Sequence, residues 1–172
     1  MYRGASGEKL SLEVRSYAQR DIHLKTLFPL TDSWQKLGVE AQAVALPAQQ
    51  ANDAKEQATF PSFLVLRQPN GLPRMVQIHS TQARVPENNY QGSNNGRYRS
   101  AELDALIDRY QMTIPLAERM GVVAQIIKHD SENLPILPLF YDAQPTLISN
   151  RFVNVQSGIN QTWNVQDWDL KN

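Results

Sequence analysis

At 172 residues, with 41% apolar and 20% charged side chains, the chain has the composition of one globular domain and is too apolar for global disorder. Its 17 basic side chains balance 17 acidic ones, which removes the electrostatic basis for a nucleic-acid or anionic-membrane partner. Cysteine is absent, and with it disulfides, thiolate nucleophiles and cysteine metal sites; no stretch reaches the roughly 20 apolar residues of a membrane span.

Residues 1–7 lack the apolar core of a signal peptide, so either the protein is cytosolic or its targeting segment lies upstream. Leu10, Leu12 and Val14 alternate with polar neighbours and predict a half-buried strand. After a polar stretch from Ser16 to Asp21, Ile22, Leu24, Leu27 and Phe28 follow a helical spacing that Pro29 interrupts. Thr31 is placed to cap a second helical piece, and Gly38 to close it. Residues 39–46 alternate again, so a β–helix–β crossover with parallel strands is expected. Pro47 opens an Ala-rich helix to about Ala58. The apolar run Phe63–Leu66 suits a strand covered on both faces, discharging into the turn-rich loop 67–73. The polar segment 82–96, with its asparagine clusters, reads as an ordered loop or a lid, and the sequence leaves both open.

Ser100 is a natural N-cap, with Glu102 and Asp104 in the first turn and Leu103, Leu106, Ile107 and Tyr110 on one helical face. Thr113 is placed to cap the next helix, with Pro115 in its first turn and Leu116, Met120, Val123 and Ile127 as its apolar stripe. Residues 134–141 predict an extended edge or crossover strand, given two prolines. Leu147–Ile148 and Phe152–Val155 predict two more short strands ahead of a tail bearing Trp163 and Trp168.

Several segments taken in order carry a family resemblance. They are Gly7-Glu8-Lys9-Leu10-Ser11-Leu12, Trp34 to Ala41, Asn89-Tyr90-Gln91-Gly92, Tyr98 to Ile107, Ile114-Pro115-Leu116-Ala117-Glu118-Arg119, Leu134 to Tyr141, and Trp163 to Asp169. This ordered set resembles the C-terminal lobe of extracellular solute-binding proteins of the peptide/nickel-type ABC transporter family. The resemblance implies an α/β fold with a mixed sheet flanked by helices, one lobe of a type-II periplasmic-binding-protein architecture. It implies that residues 1–172 form a single C-terminal lobe, with about 143–172 returning toward an N-terminal lobe of the same polypeptide. A signal sequence would lie upstream, the location would be periplasmic or extracellular, and the partners would be a small-molecule or peptide solute and ABC permease subunits. No catalytic role, cofactor or metal is implied, and no nucleic acid or membrane insertion for this segment. One departure matters: the family often has an acidic D-Y-x-D-P loop where this chain has Arg67-Gln68-Pro69-Asn70-Gly71, so recognition of a peptide amino terminus does not carry over.

His23, His79 and His129 have no zinc-ligand spacing and read as surface or helix-end residues. There is no G-x-S-x-G turn and no phosphate-binding glycine pattern, and Glu102, Asp104 and Asp108 are explained by helix charge. The loop after the third strand is the leading candidate site, because ligands of α/β sheets bind beyond strand carboxyl ends. Arg67 is suited to grip a carboxylate there, with Gln68 and Asn70 sharing amide hydrogen bonds. Asn94, Asn95 and Tyr98 are candidates from the polar segment, and Tyr141 from the following strand. Solute capture for an importer is the expected function. The alternatives are a ligand-sensing lobe of a regulatory protein and a small hydrolase.

Overall fold

The computed structural model describes residues 3, 5–68, 71–142, 145–158 and 162–171, apart from the side chain of Pro73. They group into two compact units, Met1–Pro138 and Leu139–Asn172.

In the first unit the period-two pattern produces β1 (Ser11–Tyr17), in which Val14 and Ser16 are fully buried. The strand continues past the expected boundary because buried Ser16 is satisfied: its hydroxyl donates to the Val65 carbonyl at 2.8 Å. One continuous helix follows, α1 (Asp21–Lys36), with Pro29 inside it rather than at a break. Lys25 and Pro29 both lie on its exposed face, where the carbonyl that proline leaves unpaired is open to solvent, so the helix runs through. Thr31, expected as a cap, is buried mid-helix, its hydroxyl returning to the Leu27 and Phe28 carbonyls at 3.0 Å. Gly38 closes the helix as expected. Its φ of +91° lets Gly38 N–H donate to Gln35 at 2.9 Å and Val39 N–H donate to Trp34 at 3.0 Å.

Next, β2 (Glu40–Leu46) pairs in parallel with the whole of β1, from Ser11 opposite Glu40 to Tyr17 opposite Leu46. The Ala-rich segment forms two short helices, α2 (Ala48–Ala51) and α3 (Ala54–Ala58), not one. Asp53 divides them, its carboxylate accepting from the N–H groups of Lys55 and Glu56 at 2.8 and 3.0 Å and so starting a new helix. Only Phe63–Leu64 form β3, which pairs with the other edge of β1 to give the parallel order β2-β1-β3. This is a half-buried edge strand, not one covered on both faces.

After a single helical turn, α4 (Pro73–Val76), and two 3-10 turns at Ser80–Gln82 and Pro86–Asn88, the chain enters a helix pair. Ser100 caps α5 (Ala101–Met112) by accepting from Leu103 N–H at 3.2 Å, with Glu102 and Asp104 in the first turn as expected. Thr113 ends α5 instead of starting the next helix, its hydroxyl donating back to Arg109 at 2.6 Å, and Pro115 takes the N-cap of α6 (Leu116–Asn133). The face of α6 also differs from expectation. Val122, Val123, Ile126 and His129 are buried, whereas Leu116, Met120 and Ile127 are exposed. Ile78, Leu103, Ile107, Val122 and Ile126 form the core of this pair, each worth about 1.5–3 kcal/mol by burial.

Residues 134–141 join no ladder, and their large apolar side chains from Leu134 to Tyr141 are exposed. The expected strand therefore finds no neighbouring edge among the described residues. In the second unit β4 (Phe152–Val153) pairs antiparallel with β5 (Asp169–Leu170), and Leu147–Ile148 form no strand. Asn164, 1% exposed, organises this unit by donating to the Asn154 carbonyl at 2.7 Å and accepting from the Trp168 indole at 2.8 Å.

Candidate functional site

The order β2-β1-β3 creates a switch point. The chain leaves β1 toward β2 on one side and later returns to β3 on the other, so the carboxyl ends of β1 and β3 lie side by side. In α/β sheets a crevice opens at such a place. The residues around it are Tyr17 at the end of β1, Arg20 and His23 at the start of α1, and Arg67 with Gln68 beyond β3.

One hydrogen bond ties the two connections together: the Arg67 backbone N–H donates to His23 Nε2 at 3.2 Å. His23 is only 4% exposed. Burial, with the positive charges of Arg20 and Arg67, holds its imidazole below the usual histidine range, so the ring is neutral. Because Nε2 accepts, the ring proton resides on Nδ1, which has no hydrogen-bond partner among the described residues. Tyr17 stacks obliquely near this ring, with centroids 6.3 Å apart. Burial pushes its phenol above the ordinary value, against the opposing pull of Arg84 and Arg15, so it remains an uncharged hydroxyl.

Sequence reasoning placed Arg67 and Gln68 here and missed Tyr17 and His23. Arg67 and Gln68 are both exposed. Asn70 lies outside the described residues. The missed signal was the spacing His23, Leu27, Thr31, one residue in four, which marks the buried face of α1.

The other candidates do different work. Asn94, 2% exposed, spends its amide on the loop: its nitrogen donates to the carbonyls of Tyr98 at 2.8 Å, Ile78 at 3.0 Å and His79 at 3.3 Å, while its oxygen accepts from Tyr98 N–H. It shapes the segment rather than presenting a free amide to a solute. The same segment uses left-handed backbone at Asn89 and Tyr90, and a Cβ on Gly92 would overlap the Gln82 carbonyl. This is why the Asn-Tyr-x-Gly pattern needs glycine there. Asn95 is half-buried beside it. Arg84 anchors the segment to α3 by donating to Gln57 at 2.7 Å and to the Gly92 carbonyl at 3.1 Å. Residues 82–96 are thus a hydrogen-bonded loop.

Tyr98 packs on the helix-pair core and shares a hydrogen bond with His129 Nε2 at 3.0 Å, and His129 Nδ1 lies 3.3 Å from Glu102. His129 is buried, correcting the surface reading, and both its ring nitrogens are occupied by this tie between the loop, α5 and α6. A shallow cleft of about 250 Å³ lies beside it, lined by Glu102, Leu106, Gln125, Lys128, His129 and Glu132. Tyr98→Phe is expected to cost about 0.5–1.5 kcal/mol in urea unfolding, the value of one hydrogen bond. Unchanged stability would remove the tie from the fold's energetics. Tyr141, in the second unit, is 82% exposed.

Among the described residues no group of three or more His, Asp or Glu is arranged to hold a metal ion, and no helix is long and apolar enough to cross a membrane.

No family model matches the sequence, and no curated protein matches it. Solved structures do. An oligopeptide-binding protein from Thermus thermophilus, complexed with a pentapeptide, superposes with a TM-score of 0.72 at 17% identity, over 98% of this chain and 33% of that one. NikZ from Campylobacter jejuni, in complex with Ni(L-His), gives 0.69 at 21% identity, over 97% of this chain and 36% of that one. The oligopeptide-binding protein AppA from Bacillus subtilis, with a nonapeptide, gives 0.65 at 17% identity over 98% and 33%. The chain therefore spans about a third of the length of these structures and has the α/β fold of that third, a parallel sheet flanked by helices. The resemblance read from sequence motifs points to the same group of proteins.

Proposed function

We propose that this chain is one lobe of an extracytoplasmic solute-binding protein serving an ABC importer, and that it forms one wall of the solute cleft at the carboxyl ends of β1 and β3. The observation that carries the reading is the fold shared along 97–98% of the chain with proteins whose structures hold a pentapeptide, a nonapeptide or Ni(L-His). The adjacent carboxyl ends of β1 and β3, with Arg67 and Gln68 exposed just beyond β3, support it, because ligands of α/β sheets bind outside such strand ends. Exposed apolar side chains at Ile136, Leu137, Leu139 and Phe140 support a larger protein in which that extended segment is covered.

In that protein a second lobe of the same polypeptide would close over the solute by hinge motion, and the closed form would be presented to the permease outside the cytoplasmic membrane. Arg67 grips an anionic group of the solute and Gln68 an amide, and Asn70, Asn95 and Tyr141 are proposed as further solute contacts from their chemistry in the sequence alone. Capture and release need no catalytic residue.

Calorimetric titration of the 172-residue chain with a mixed-sequence pentapeptide pool, and separately with Ni(II)–L-histidine, tests this. Weak binding is expected to one of the probes, because a single wall buries only part of a solute. Submicromolar affinity would mean that the chain carries a complete site, and binding of neither probe would remove peptide and nickel-chelate capture.

A further inference from the structure

We infer that His23 is a positioning residue for this crevice: its neutral Nδ1–H tautomer holds the backbone of Arg67 at the mouth, and protonation of the ring lets it go. The inference rests on the reading of this region as a solute site, and it concerns a buried residue in the first turn of α1 that does not itself face the solute.

The geometry leaves His23 one way to make this bond. Nε2 lies 3.2 Å from the Arg67 nitrogen, and an amide N–H only donates, so Nε2 must present its lone pair. An imidazolium has a proton on both nitrogens and offers no lone pair, so the neutral ring holds Arg67 and the charged ring cannot. The bond also spans the switch point. It joins the first turn of α1, which follows β1, to the chain leaving β3. Pairing continues one residue beyond β3: Val65 N–H donates to the Arg15 carbonyl at 2.8 Å, and the Val65 carbonyl accepts from the Ser16 hydroxyl at 2.8 Å. His23 supplies the next restraint, at Arg67.

The two cations near the ring oppose its protonation, and the neighbouring aromatic group is uncharged. Tyr17 of β1 is an uncharged phenol held above its ordinary value by burial; Arg20 ahead of α1 and Arg67 beyond β3 are cations that oppose a third positive charge. The acidic group on the same turn, Asp21, pairs with Lys25 at 3.0 Å. Since the folded-state value is depressed, the unfolded chain takes up the proton first. The stability associated with neutral His23 is therefore complete above about pH 6.5, the ordinary histidine value. It is lost progressively as pH falls toward the depressed value.

Nuclear magnetic resonance of the uncomplexed chain tests the inference without any solute, so its failure leaves the solute-capture reading standing, and failure of that reading leaves this result intact. Ring 15N shifts of His23 should give the Nδ1–H tautomer near neutral pH. Arg67 amide exchange, corrected for intrinsic pH dependence, should speed up by about tenfold as the ring protonates, the effect of losing one hydrogen bond. His23→Gln, whose side-chain oxygen also accepts but does not titrate, should keep Arg67 protected across the same range. His23→Leu should leave it unprotected at every pH, with the β1–β2 ladder amides reporting whether the fold survives. An Nε2–H tautomer, or Arg67 protection that ignores the His23 titration in the parent chain, would overturn the inference whatever the variants do.

Discussion

Ile126→Ala is expected to lower the unfolding free energy by about 2–5 kcal/mol, whereas Ile127→Ala, one residue on, should change it by about 0.5 kcal/mol or less. Ile126 is fully buried in the core shared with Leu103, Ile107, Val122 and Ile78, so truncation removes apolar contact and leaves a cavity that α5 and α6 cannot collapse to fill. Ile127 is 53% exposed. Parallel urea unfolding curves of the two variants read the difference directly, with the midpoint moving and the slope constant. Equal losses, or a larger loss for Ile127, would mean that α6 is turned by about one residue, some 100°, from this packing.

The second large effect is at Asn94. Asn94→Ala should cost about 2–3 kcal/mol, because it removes a buried amide and leaves Tyr98 N–H and the Ile78, His79 and Tyr98 carbonyls short of partners in one step. Asn94→Asp should be no better. A carboxylate keeps the acceptor for Tyr98 N–H but points its other oxygen at carbonyls, where the amide had donated. Denaturant unfolding gives the energy, and exchange of the Tyr98 amide reports whether the loss is local. A wild-type-like Asn94→Ala protein would show that the loop is held by its other bonds, those of Arg84, Asn88 and Ser93. The result also bears on function. A side chain committed to this degree shapes the loop, which separates it from Arg67 and Gln68 as a prospective solute contact.

These cases show where the sequence could be read and where it could not. Strands β1 and β2, the glycine closure of α1 and the Ser100 cap depend on local patterns, each carried by a few adjacent residues, and they were legible. The phase of α6 was not. Its sequence holds two apolar stripes, Leu116-Met120-Val123-Ile127 and Val122-Ile126-His129 with Val123 between them, and spacing alone does not say which one meets α5. Pro29 misled because a proline rule assumes that the freed carbonyl has nowhere to go, and on the solvent side of α1 it does. Residues 134–141 have a strand's composition, but a strand exists only where another edge is present to pair with. Beyond β3, Arg67 and Gln68 were proposed through the rule about strand ends. His23 was not, because its value comes from an amide 44 residues away.

The most direct test of the crevice as the solute site is a two-dimensional 15N–1H titration of the chain with the mixed pentapeptide pool, followed residue by residue. The amides expected to move lie at Tyr17, Arg20 and His23 and at Arg67 and Gln68, the two connections that part at the switch point. Shifts gathered instead around Glu102, Lys128 and Glu132, with residues 17–23 and 65–68 unmoved, would place peptide binding on the helix pair and contradict the assignment.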